Sequence, residues 1–281
     1  MIKLLLTFSI LLLSVPWLQG QGLSGDSWAE VQKNGSGKIE VIYYPTPGLV
    51  ERLEDQSMKG MCVDVLSDFE KYIETKYGKK ISFEYSSEAK VWTQFLADIE
   101  SAQSGVLGVA NTTITSDRMQ RFDFSPSFIN NPLMLLTHKN APDLDSFQEM
   151  STSLVGYHAK VVTGSVHVGY MQDLRSNYFP DLKIKYGSSG RSVLAEIALD
   201  ERQFTIVDFT EFFYAIKEKM PIKRQKLPVA DTEDQLALVM PKGSDWKPIW
   251  DDFLSEDYKS SVRYKEIVAN NLGRQFFYLI Q

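Results

Sequence analysis

Apolar residues recur along this chain with two alternating periods, and the alternation predicts strands and helices in turn. Residues 39–44, IEVIYY, are β-branched and aromatic, and Pro45, Pro47 and Gly48 end the run. CVDVLSDFEKYIETKYG then spaces Val63, Leu66, Phe69 and Ile73 three and four apart, the stripe of an amphipathic helix stopped at Gly78. KISFEYS reads as the next strand, and VWTQFLADIESAQSG as a helix ended by Gly105. GVLGVAN is a short apolar strand that delivers Asn111 and Thr112 to its carboxyl end.

A second set of the same units begins after an apolar strand from Pro132 and the polar break NAPD. TSLVGYHAKVVTG has strand character, GSVHVGYMQDLRSNYF is a helix, and LKIKYG is a strand. SVLAEIALDE, FTIVD and TEFFYAIKEK follow as helix, strand and helix. After Pro228, QLALVMPKGSDWKPIWDDFL reads as a strand running into a helix, and YKSSVRYKEIVANNLG as a last helix. Strands alternating with helices predict an α/β fold. Two sets with two apolar connections predict two lobes, the first from residues 23–136 plus 233–281 and the second from 139–230. The connections near 133–137 and 228–238 are placed to act as hinges, and a cleft between two such lobes is a favoured ligand site.

The start of the chain changes the picture of where the protein works. Lys3 is followed by LLLTFSILLLSVPWL, an uncharged run with the length of a secretion-signal core, so residues 1–20 are expected to be a cleaved signal peptide. No cysteine lies near the expected cleavage point, so a lipoprotein anchor is not expected there. The expected location is periplasmic or secreted. The single cysteine, Cys62, has no internal disulfide partner and reads as a small buried apolar residue. A formal charge of −6, with both signs interspersed, offers no basic stripe for nucleic acid. A soluble monomer is expected.

Chemistry concentrates in residues 110–128, ANTTITSDRMQRFDFSPSF. A Thr-rich turn meets an arginine, and Thr113, Thr115 and Arg118 offer hydroxyls with a planar fork suited to a carboxylate. Farther on, Asp208 ends the strand-like run FTIVD. One cation and one anion on separate segments suit the two charges of an amino-acid zwitterion. Thr115, followed by Ser116 and Asp117, also suits the N-cap of a helix.

These segments resemble the extracellular solute-binding proteins for polar amino acids (family 3), which serve ABC importers and share a fold with the ligand-binding core of ionotropic glutamate receptors. ANTTITSDRMQRFDFSPSF is similar to that family's A-x-x-T-I-T-x-x-R…FS-P signature. GMCVDVLSDFEKYI, VVTGSVH, FTIVDFTEFFYAI and YKEIVANNLG resemble further family segments. The resemblance covers nearly all of the chain after the signal and implies a two-lobed periplasmic-binding-protein fold (type II). It implies that Arg118 holds the ligand α-carboxylate with help from Thr113, and that Asn111 offers its backbone carbonyl to the α-amino group. Gly164 and Ser165 would present amides at a helix N-terminus, and Asp208 would pair with the amino group. Val166 stands where the family usually has a second hydroxyl, at a position where a ligand side chain could be read. The implied partners are a small-molecule ligand and the membrane subunits of an ABC transporter, with no metal or cofactor.

Other residues weigh less. Tyr43 and Tyr44 both end the first strand, and only one of two adjacent strand residues can face a cleft. His138, His158 and His167 lack metal-ligand spacing, and His167 reads as a surface residue. Trp92, Trp246 and Trp250 read as core, Asp64 as a helix-orienting residue and Arg191 as a solvated helix start. Thr210 reads as the cap of the helix that follows Asp208. An enzyme on the same scaffold, such as a periplasmic dehydratase resembling cyclohexadienyl dehydratase, is the competing function. Glu211 is its candidate general acid, although it suits the N-terminus of its own helix better. A sensory module reporting to a membrane partner is the third.

Overall fold

Residues 39–43 are buried on both faces of the strand Ser36–Tyr43, as expected of a parallel strand covered by helices on both sides. This computed structural model describes residues 23–229, 234–273 and 276, so the expected signal at 1–20 lies outside the described residues. Ser36–Tyr43 pairs in parallel with Lys80–Glu88 on one side and Val106–Val109 on the other. Val239–Pro241, antiparallel to both of its neighbours, and Phe122–Phe124 at the edge complete this five-stranded sheet. The second sheet, also five-stranded, has the order Lys183–Gly187, His158–Val162, Gln203–Asp208, Leu133–His138, Ile222–Arg224. Its first three strands are parallel, and Leu133–His138 runs antiparallel to both of its neighbours.

Each sheet is closed by helices whose apolar stripes follow the sequence. Met61–Tyr77 buries Met61, Cys62, Val65, Leu66, Phe69 and Ile73, a stripe that takes in Val65 rather than the expected Val63. Phe69 stacks on Trp250 with ring centroids 3.7 Å apart, which fixes the helix Lys247–Phe253 against the first sheet. Cys62 is buried and free, as its isolation in the sequence required. Trp246 and Trp250 are core residues. Around the second sheet, Leu135, Val161, Met171, Phe204 and Ile206 form one buried cluster.

The strand Leu133–His138 forms where the sequence predicts one, but it belongs wholly to the second sheet. All six residues are buried, and their backbones bond to Gln203–Asp208 on one side and Ile222–Arg224 on the other. The hinge expected at 133–137 and the first-lobe boundary at 136 both fall inside it. A fully apolar run marks a strand with two covered faces, not a connection. What links the two sheets is a short antiparallel ribbon of Ile129–Asn131 with Asp234–Leu236. QLALVMP accordingly divides between this ribbon and the first-sheet strand Val239–Pro241. The last predicted helix is two, Glu256–Ser260 and Val262–Leu272, because Ser261 takes an extended conformation and caps the second. Among the described residues, no helix is long and apolar enough to cross a membrane.

Candidate ligand-binding cleft

Four parallel strands end at one cavity, with their carboxyl ends facing it from both sheets. Tyr44 follows Ser36–Tyr43, and Asn111 and Thr113 follow Val106–Val109. Ser165 and Val166 follow His158–Val162, and Asp208 ends Gln203–Asp208. Ligands of open α/β sheets favour this position, outside the carboxyl ends of the strands. The lining atoms surround about 400 Å³ of space, open solvent at its mouth included. Trp92, Arg118, Val162, His167, Gly190, Val207 and Glu211 complete the lining.

The Thr-rich turn owes its shape to the crossing ribbon. Ala237 N–H donates to the Thr112 carbonyl at 3.0 Å and Ile114 N–H donates to the Gln235 carbonyl at 2.9 Å. Thr115 Oγ1 then accepts from Arg118 N–H at 3.2 Å and caps the short helix Ser116–Arg121, as its sequence context predicted. The cap sets the arginine's direction. Arg118 is 8% exposed, and its Nη1 donates to the Thr113 carbonyl at 3.0 Å. Nη2 reaches the Gly164 carbonyl at 3.5 Å, at the limit of a hydrogen bond, and the guanidinium lies 5.3 Å from the Trp92 ring centre. Among the described residues, no carboxylate forms an ion pair with Arg118. Burial pulls its pKa down to about 10, against the opposing fields of Asp208 and Asp234.

Asp208 occupies the N-cap position of Phe209–Lys217 but makes no side-chain cap bond. Its carboxylate turns into the cavity and accepts from the Asn111 and Asn131 side-chain amides, while His167 Nε2 stands 3.1 Å away. Thr210, expected as the cap, instead donates its hydroxyl to Glu211 Oε2 at 2.7 Å. Burial works against a charged His167, but Asp208, Glu211 and Asp234 together outweigh it and raise its pKa. Burial first, and the Asp208 charge second, push the Glu211 carboxyl up to about 7. Asp234, whose Oδ1 accepts from the Tyr170 hydroxyl at 2.8 Å, is also raised, chiefly by burial.

Of the residues expected at the site, Asn111, Thr113, Arg118, Ser165, Val166, Asp208 and Tyr44 line the cavity. Tyr43 does not. Its hydroxyl donates to Glu88 at 2.7 Å and accepts from Arg52 at 2.9 Å on the other face of the strand. The pleat sends the two tyrosines opposite ways, and Tyr44 meets Trp92 edge-on at 5.4 Å. Gly164 contributes its carbonyl rather than an amide, accepting from Trp92 Nε1 at 3.2 Å as well as from Arg118. At φ +73° it takes the left-handed conformation that favours glycine, and a Cβ there would stand 2.9 Å from Thr93 Cγ2.

One cavity residue lies where the sequence does not place it: His167, read as a surface residue, is 5% exposed against Asp208. Trp92 is in the core as expected and also borders the cavity, and Glu211, which the sequence offers both as a cleft acid and as a helix-end residue, lines it. Helical period alone cannot say which face of a helix meets a cleft. Only the spacing of Asp208 and Glu211, three apart across a strand–helix junction, hinted at two acids side by side. Arg191 is exposed at the start of Gly190–Leu199 as expected, and its guanidinium also lies 2.8 Å from Glu51 and 5.0 Å from the Tyr214 ring centre. Among the described residues, no cluster of His, Cys, Asp or Glu is arranged to hold a metal ion.

No family model matches the chain, and no curated protein matches it in sequence. Solved structures do match its fold. The arginine-, lysine-, histidine-binding protein ArtJ from Geobacillus stearothermophilus is 17% identical, with a TM-score of 0.66, covering 87% of this chain and 100% of that one. The GluR0 ligand-binding core from Nostoc punctiforme, in complex with L-glutamate, is 16% identical with a TM-score of 0.63, covering 84% and 99%. AncCDT-1, an ancestral amino-acid-binding protein and precursor of cyclohexadienyl dehydratase, is 17% identical with a TM-score of 0.67, covering 86% and 98%. The chain therefore has the two-lobed α/β fold of these periplasmic-binding-protein-like structures, the fold that its strand order and its cleft had already indicated.

Proposed function

We propose that this protein is an exported solute-binding protein that captures an amino acid or similar small zwitterion between two closing lobes, for delivery to an ABC-type importer. The lobes would be residues 23–131 with the chain from 234 onward, and residues 133–229, joined by the ribbon at 129–131 and 234–236. The observation that carries this reading is Arg118. Its guanidinium is buried on the wall of a cavity, held by two carbonyls and an aromatic face, with no carboxylate among the described residues in contact. A buried cation without a counter-ion is costly, and a carboxylate ligand would supply the missing charge.

In this reading the ligand carboxylate exchanges for the long Nη2 contact to Gly164 and takes two guanidinium donors side by side. The ligand ammonium lies toward Asp208, which Asn111, Asn131 and His167 hold in orientation, and the Asn111 backbone carbonyl provides a second acceptor. Arg118 and Thr113 belong to the first lobe, and Asp208 and Ser165 to the second. A ligand touching both gains its full set of contacts only when the lobes close, so it shifts the population toward closure. No bond of the ligand changes.

The raised pKa of Glu211 favours a second reading, in which a protonated Glu211 acts as general acid on a cyclic amino-acid or keto-acid precursor. Two measurements separate the readings. A thermal-shift screen over the amino acids should raise the melting temperature if the protein binds one. Incubation with prephenate and arogenate should leave them unchanged, whereas product formation would support the enzyme. If no amino acid stabilises the protein, the binding reading fails.

A further inference from the structure

The two charges of a zwitterion leave one acid of the cavity unanswered. Arg118 meets the ligand carboxylate and Asp208 the ammonium. Asp208 is already engaged by Asn111, Asn131 and His167. Glu211 is not. It is 6% exposed, lines the cavity, and has one side-chain donor among the described residues, Thr210 Oγ1 on Oε2. Its carboxyl sits directly over Gly190, where a Cβ would come within 2.7 Å of Oε1. The missing side chain at residue 190 therefore leaves room for the acid at the cavity wall. The Asp208 charge acts on both Arg118 and Glu211, and His167 and Tyr44 lie within the field of Glu211.

We infer that Glu211 reads the ligand's side chain, and that the site prefers α-amino acids carrying a second, cationic nitrogen over apolar or acidic ones of the same length. The inference rests on the zwitterion reading above. A second ammonium near Glu211 gives its carboxylate an ion pair that none of the described residues makes with it, and an apolar side chain leaves that group buried with only the Thr210 hydroxyl and its own backbone N–H as donors. A ligand carboxylate there would meet like charge. The groups around Glu211 act in opposite senses: Asp208 raises its pKa and His167 lowers it, while Tyr44, itself pushed up to about 12 by burial and then by Glu211, remains a neutral phenol. With its carboxyl near 7 in the free protein, Glu211 would give up a proton when a cation binds beside it.

The test is titration calorimetry at pH 7 with L-ornithine, L-lysine, L-norvaline, L-norleucine and L-glutamate. The expected result is that one diamino acid binds at least tenfold more tightly than its apolar analogue, with glutamate weakest. Glu211→Gln should bring that ratio below about threefold. If the variant does not fold, the wild-type protein still decides. Heats measured in two buffers of different ionisation enthalpy should show proton release with ornithine or lysine and none with norvaline. Equal affinity for charged and apolar analogues, tightest binding of glutamate, or a preference that survives Glu211→Gln would overturn the inference while leaving amino-acid binding intact. Failure of all five to bind would count against the zwitterion reading itself, and the inference would fall with it.

Discussion

Replacing Arg118 with methionine separates what the residue does for the fold from what it does for a ligand. The side chain is 8% exposed, and burial lowers its pKa from 12.5 to about 10. At about 1.4 kcal/mol per pH unit, keeping the charge in the ligand-free protein costs about 3 kcal/mol. Its contacts offset this. They comprise a hydrogen bond to the Thr113 carbonyl at 3.0 Å, a weak one to Gly164 at 3.5 Å and the Trp92 face. Bonds from charged donors contribute about 1.5–3 kcal/mol each and a desolvated cation–π contact about 2. With one full bond and the aromatic face the contacts return about 3.5–5 kcal/mol, so the arginine is net stabilising by about 0.5–2 kcal/mol. The ligand-free variant should therefore melt at most about 8 °C below wild type, since 1 kcal/mol moves a domain of this size by about 2–4 °C.

Binding should respond very differently. A ligand carboxylate without its cation in a desolvated cleft loses about 3–5 kcal/mol, which is about two to four decades in Kd. Lysine at 118 should recover only part of this, because an ammonium lacks the planar fork. Calorimetry on whichever amino acid passes the thermal-shift screen, with melting of the free proteins alongside, measures both arms. An Arg118→Met protein that melts normally and binds within a few-fold of wild type would refute the carboxylate assignment. A variant destabilised by several kcal/mol would show instead that the arginine is structural.

Asp208→Asn should weaken binding at least tenfold and also lower stability by about 1–3 kcal/mol, because two amides and an imidazole lose the charge they are oriented around; unchanged binding would remove the second-lobe half of the site. The free protein should lose stability as pH rises from about 4.5 through 7. Glu211 is raised to about 7 and His167 is raised too, so between unfolded and folded pKa values the folded state holds more protons, and that advantage disappears as pH climbs through the folded values. Glu211→Gln should flatten the slope of melting temperature over this range, and an unchanged slope would contradict the assignment. Saturating ligand should reduce the radius of gyration measured by small-angle scattering. Glu51→Gln, which breaks the half-exposed pair with Arg191, should weaken binding only a few-fold, since such pairs contribute about 0–1 kcal/mol. A hundredfold loss would mean that this contact governs closure.

Much of this protein was determined by local pattern. The helical stripe from Met61 to Tyr77, the apolar strands, the cap at Thr115 and the acid at the end of FTIVD are properties of short segments, and period and capping chemistry suffice to locate them. The pairing of a cation at 118 with an anion at 208 was legible as a pattern of charge types at segment ends. Tertiary structure decided which neighbours each segment meets. The run Leu133–His138 is equally apolar as a connection or as a central strand, and only its two hydrogen-bonded neighbours settle the matter. Tyr43 and Tyr44 carry the same chemistry, and the register of the strand sent one to Glu88 and the other to the cavity. His167, Trp92 and Glu211 became cleft residues because helices from both halves of the chain converge on the carboxyl ends of the strands, a juxtaposition of residues far apart in sequence that no local period encodes.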